Sequence, residues 1–197
     1  MARSQLSENL LGALEVMLAR PSGMKRMDLT PEGFWLSFYG LLLTALVDMT
    51  ALAVNYPSVL ARLGEAAPGR FYFVLGTLAA SLVGYASAML ALFLLCRSES
   101  EARGFPTSFA VHNWASPVIS IAILPIIVAS ELLHAPGQSS VLETMLMLSI
   151  IAALIVAGIR ILRISLLLTA GRAAAYFATT TIVSLSISQG LEGLLGL

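Results

Sequence analysis

The chain has 197 residues, 58% of them hydrophobic and only 11% charged, and its mean hydropathy is +0.89. A soluble domain carries roughly 45–50% apolar and about 25% charged residues, so this chain lacks the polar groups to cover a watery surface and its exterior must face lipid. The 11 basic and 11 acidic residues cancel, which leaves no nucleic-acid footprint, and the single Cys96 excludes an intramolecular disulfide or a cysteine-based metal cluster. The pattern predicts an all-α, polytopic transmembrane bundle of about five spans. Residues 1–30 form a cytoplasmic amphipathic helix and basic linker, and residues 31–197 form the bundle.

Residues 4–20 read as an amphipathic helix, with Leu6, Leu10, Ala13, Leu14, Met17 and Leu18 at helical spacing and Glu8 and Glu15 largely off that face. Two acids within the apolar stretch argue against a secretory signal, and Ala2 replaces the glycine that myristoylation needs. Too short and too polar to span, this helix is expected to lie on the membrane surface or to pack on the cytoplasmic end of the bundle. Arg20, Lys25 and Arg26 follow as a small basic cluster.

Thr30-Pro31-Glu32 marks a helix start, with Thr30 as N-cap, Pro31 at the first helical position and an acid in the first turn. The first span is predicted over 33–55, opening on Phe34, Trp35, Phe38 and Tyr39 as an interfacial belt and ending at Asn55-Tyr56-Pro57. A second covers 71–95. The charged stretch from Arg97 to Arg103 reads as a loop. A third span, 107–133, contains Pro117 and Pro125 and closes at His134-Ala135-Pro136-Gly137. Ser140 and Glu143 form a capping box for a fourth helix that runs to Thr169 before Gly171, and a fifth covers 173–192.

Loop charges set the orientation. An N-in chain places Arg3, Arg20, Lys25, Arg26, Arg97, Arg103, Arg160, Arg163 and Arg172 on the cytoplasmic side and only Arg62 and Arg70 opposite. That bias predicts N-in, C-out. Five spans with an N-in start fit a bacterial inner membrane.

Few residues carry chemistry. Asp48 stands about 15 residues into the first span, roughly 23 Å along it at 1.5 Å per residue. It reads either as a proton- or cation-responsive carboxylate facing a cavity, or as an acid hydrated near the far interface or kept neutral and hydrogen-bonded. His112-Asn113-Trp114 opens the third span, where Pro117 has no N–H for the carbonyl of Asn113. Trp114 is expected as an interface anchor, and His112 as a hydrated histidine. Arg160 and Arg163 share a face and suit lipid phosphate, by snorkelling, or an acid from another helix. Gly76, Ala80, Gly84 and Ala88 form a small-residue stripe for helix packing, within the bundle or across a dimer. Thr180, Ser184 and Ser188 read as interhelical hydrogen bonding. No phosphate loop, zinc pattern or nucleophile elbow occurs, so no cofactor, metal or reaction is expected. The expected partners are membrane lipids, and other membrane proteins or further copies of the chain.

The layout resembles that of the Yip1-like membrane proteins, a short cytoplasmic lead helix followed by five spans. The stretch from Asp28 to Phe38, and His112-Asn113-Trp114 with Pro125 beyond, resemble a group of bacterial inner-membrane proteins. The eukaryotic members act in trafficking with small GTPases and carry an Asp-Leu-Tyr-Gly-Pro stretch. This chain lacks it, so the resemblance implies the layout and no functional residue.

Overall fold

The computed structural model describes residues 4–133 and 141–197. The predicted turn at His134 and the Ser140–Glu143 capping box lie outside the described residues and side chains. The described residues hold seven α-helices and no strand: α1 (Gln5–Met17), α2 (Pro31–Leu36), α3 (Phe38–Leu63), α4 (Arg70–Leu95), α5 (Glu99–Leu133), α6 (Val141–Ser165) and α7 (Ala170–Leu195). The segments Pro31–Ala66, Arg70–Leu95, Glu99–Leu132 and Thr144–Ser165 are long and apolar enough to cross a membrane. Helix α7 matches α4 in length, but Thr179, Thr180, Thr181, Ser184, Ser186 and Ser188 make it the less apolar of the two.

The long helices close a ring in the order α3, α5, α6, α7, α4. Helices α4 and α7 run antiparallel, since Tyr72 near the start of α4 donates to the Leu195 carbonyl (2.8 Å), and Tyr176 near the start of α7 donates to that of Leu95 (2.8 Å). The stripe Gly76, Ala80, Gly84 and Ala88 is what lets them approach. A Cβ on Gly84 would stand 2.8 Å from the Ser184 carbonyl oxygen, and one on Gly76 would stand 2.6 Å from the Leu197 side chain. In lipid, helices gain little by hiding apolar surface from one another, so this close contact supplies much of their association. Buried residues concentrate at one end. There Ala88, Met89, Leu92, Leu162, Leu166 and Ala173 pack together, while beyond Pro117 in α5 and before Ala157 in α6 none of the described side chains is buried.

Helix α1 caps that packed end. Ser4 is its N-cap, and Ala13 and Val16 sit against Val111, Trp114, Ala115 and Ile161. Arg26 holds its outer side through Glu8 (2.9 Å) and Glu15 (2.8 Å). The buried Asn9 accepts from the Asp28 backbone N–H at 2.9 Å, so the linker folds back on the helix. Trp114 is therefore 1% exposed and packed in the core, where an interface anchor was expected. The cause is α1 itself, which covers the site.

Four helix boundaries depart from expectation, each for a local reason. Proline 57 does not end the first span: α3 runs on to Leu63, and the carbonyl of Ala53 orphaned by Pro57 accepts from Arg70 at 2.7 Å. The first span is also broken near its start, at Ser37, into α2 and α3. The Arg97–Arg103 stretch is not a loop beyond Ser98, because Ser98 and Glu101 form a capping box. The Ser98 hydroxyl accepts from the Glu101 N–H and the Glu101 carboxylate from the Ser98 N–H, both at 3.3 Å, and α5 starts at Glu99. Finally, α6 stops at Ser165 rather than Thr169. The Leu168 N–H bonds back to the Arg163 carbonyl (3.1 Å) around Leu167 at φ +54°, and Thr169 caps α7, which takes Gly171 into its first turn.

Candidate functional site

Helices α3 and α5 run parallel, and polar side chains meet between them at three levels. At the α1 end, Asn113 is 0% exposed. Its amide donates to Ser37 (2.8 Å), its carbonyl oxygen accepts from Tyr85 of α4 (2.6 Å), and Ser37 donates on to the Phe34 carbonyl (2.6 Å). The backbone carbonyl of Asn113, freed by Pro117, meets Gly40, where a Cβ would collide with it. The break at Ser37 and the glycine one turn on thus let α3 lie directly on α5 at the freed carbonyl. At mid-height, about two turns beyond Asn113 on the same face of α5, Ser120 stands beside the half-buried Asp48. At the far end, Ser58 donates to Glu131 at 2.7 Å.

Asp48 also borders a crevice of about 180 Å³ with Leu52 of α3 and Thr77, Leu78 and Ser81 of α4. Thr44, one turn before Asp48, donates back to the Gly40 carbonyl (2.9 Å). A carboxyl facing three hydroxyl-bearing neighbours from two other helices has the means to hold a proton or to meet a small cation. It equally serves as a tie between helices.

The remaining residues singled out from the sequence lie apart. His112 is half-buried, and its Nδ1 lies 2.8 Å from the Ser108 carbonyl one turn earlier, so it acts within its own helix. Arg160 and Arg163 sit where α6 meets the end of α1, and Arg160 donates to the Met17 carbonyl at 3.1 Å. Thr180 bonds the Tyr176 and Phe177 carbonyls of its own helix, not a neighbour. Sequence reasoning did not single out Ser37, Tyr85, Ser58 or Ser120. Serines are common in this chain, and only the α3–α5 register marks these three.

A second polar contact sits at the packed end. Glu101, 2% exposed, pairs with Arg172 at 2.5 Å, close to the buried Cys96. Burial and the Glu101 carboxylate raise the Cys96 thiol above its ordinary range, while Arg172 pulls it down. A raised pKa leaves little thiolate at neutral pH. Maleimide labelling of Cys96 in the folded protein is expected to be slow at neutral pH and to accelerate only in alkaline buffer. Arg172→Gln should move that rise to still higher pH. Fast labelling at neutral pH that ignores Arg172 is the contrary result.

Searches against family models, curated proteins and solved structures return no match, so the functional reading proceeds from these residues.

Proposed function

We propose that this chain is a five-span, N-in, C-out integral protein of a bacterial inner membrane, laid out like the Yip1-like proteins. In this reading it works as a non-enzymatic scaffold or accessory subunit that organises lipids or other membrane proteins. The five-span reading is supported by α7, which pairs along α4 from Tyr72–Leu195 at one end to Tyr176–Leu95 at the other. A helix held alongside a span over that length crosses with it. The N-in reading is supported by Arg20, Lys25, Arg26, Arg160, Arg163 and Arg172, gathered at the α1 end.

One observation carries the scaffold reading: polar side chains at span depth tie helices to one another, through the hydrogen bonds of Asn113 with Ser37 and Tyr85 and of Ser58 with Glu131, with Ser120 set beside Asp48 between them. Such ties fix one arrangement of the helices, which suits a body that others dock on. Native mass spectrometry of the protein gently extracted from its own membrane tests this. A second protein at fixed stoichiometry, or a defined set of lipids, is the expected result. A tightly held small solute with no partner would overturn it.

The Asp48 crevice favours a second reading, a small transporter or permease component. Asp48→Asn keeps the size and polarity of the side chain and removes the titratable group. The scaffold reading expects that variant to fold and function as the wild type does. Loss of proton- or cation-driven flux with the fold intact would move the assignment to transport.

A further inference from the structure

The end of α6 and the end of α1 converge on one crevice of about 450 Å³, walled by Arg160, Arg163, Ile164, Leu167, Ala19 and Pro21. Its two cations face no carboxylate among the described residues. Glu8 and Glu15 are held by Arg26, and Glu101 by Arg172. Arg160 uses one N–H on the Met17 carbonyl, which fixes its guanidinium across the end of α1 and leaves other donors of its fork free. Arg163 lies on the same side of α6 and is exposed.

The apolar wall is as unusual as the charged one. Both chain reversals beside the crevice put a non-glycine residue in the left-handed region, Ala19 at φ +62° and Leu167 at φ +54°. The turn at Ala19 has the same wiring as that at Leu167, with the Arg20 N–H on the Glu15 carbonyl at 2.8 Å. Glycine is the ordinary residue there, since a Cβ is disfavoured. Leu167 is moreover 89% exposed. In water a leucine in this place is disfavoured twice, by its backbone and by its surface. Against hydrocarbon the second objection becomes a gain.

We propose that this crevice is a binding site for one anionic phospholipid of the cytoplasmic leaflet, with Arg160 and Arg163 on its phosphate and Leu167 and Ile164 along its glycerol and upper acyl chain. Two guanidiniums offer paired donors to a phosphate, while an apolar wall on the same crevice selects a phosphate that carries chains. The proposal deepens the scaffold reading and rests on its N-in orientation.

The test uses the full chain in vesicles of phosphatidylethanolamine and phosphatidylglycerol in equal parts, followed by mild extraction and native mass spectrometry. One phosphatidylglycerol should be retained in preference. Arg163→Gln, which breaks no side-chain hydrogen bond or ion pair among the described residues, should lower its retention about tenfold, the effect of one charge-assisted hydrogen bond. Leu167→Gly should separate binding from folding, since it relieves the backbone and raises the melting temperature while lowering lipid retention. Equal retention in Arg163→Gln and wild type overturns the site, as does unchanged retention in Leu167→Gly. Soluble glycerol phosphate should not displace the lipid. If it does, the crevice takes a free phosphate and the lipid assignment falls. Reporter fusions at both termini read the orientation separately, so a lost site and a wrong topology give different results.

Discussion

Replacing Gly84 by leucine should cost the protein about 3 kcal/mol or more, because the added side chain meets backbone rather than a yielding side chain. The position is buried, and a Cβ there stands 2.8 Å from the Ser184 carbonyl oxygen and 3.1 Å from the Ser188 Cβ. Neither atom can leave without moving α7, and α7 is pinned at both ends, by Tyr72 on Leu195 and by Tyr176 on Leu95. The helices must separate, and the contact of Ala80 and Ala88 is lost with them. Gly84→Ala should fall between, at roughly 1 kcal/mol. Gly190, also on α7, has open space around its Cβ direction, so Gly190→Ala should be neutral or slightly stabilising. Denaturation in mixed micelles, followed by circular dichroism, ranks the three. A Gly84→Leu protein as stable as Gly190→Ala would mean that α4 and α7 do not meet at this face.

Asn113→Leu should be the most damaging change among the polar residues, at about 2 kcal/mol. It removes the donor to Ser37 and orphans the Tyr85 hydroxyl, which has the Asn113 side chain as its acceptor. Ser37 keeps its own bond to the Phe34 carbonyl, so the loss centres on Tyr85. The double variant with Tyr85→Phe should accordingly be less destabilised than the sum of the singles, with a coupling of about 1 kcal/mol, as interhelical hydrogen bonds in membranes average below 2. Strict additivity would show that the two side chains do not interact. By contrast, His112→Ala should be mild, since its ring bonds only a carbonyl of its own helix.

The elements legible in the sequence were those specified locally. Thr30 caps α2 through the Gly33 N–H at 3.1 Å, as the Thr-Pro-Glu start implies, and the apolar runs mark where the long helices lie. Pro57 misled because a proline's effect depends on what becomes of the carbonyl four residues back. For Pro57 that carbonyl found Arg70, and for Pro117 it found Gly40, both contacts between different helices. The Ser98–Glu101 capping box was present to be read, but the density of charge around it suggested a loop. The turn at Leu167 was not legible, since the usual glycine signal is missing and Gly171, four residues on, offered a false one. The polar sites divide in the same way. Asp48 and Asn113 stand out as polar groups in apolar surroundings, whereas their partners Ser120, Ser37 and Tyr85 are chosen by helix register alone.

Helix α1 has a consequence for how the molecule is made. Its buried residues Ala13 and Val16 rest on Val111, Trp114 and Ile161. The ribosome completes that surface only about 145 residues after Val16, which at 5–20 residues per second is roughly seven to thirty seconds. Throughout that interval α1 lacks its complete seat. Its row of Leu6, Leu11, Leu14 and Leu18, exposed even in the finished protein, gives it a lodging at the membrane surface while the later spans insert. Its arrival on α5 and α6, locked by Arg160 on the Met17 carbonyl, then becomes the closing event of assembly. A chain truncated before α6 would leave α1 with only the α5 part of its seat and without the Arg160 lock.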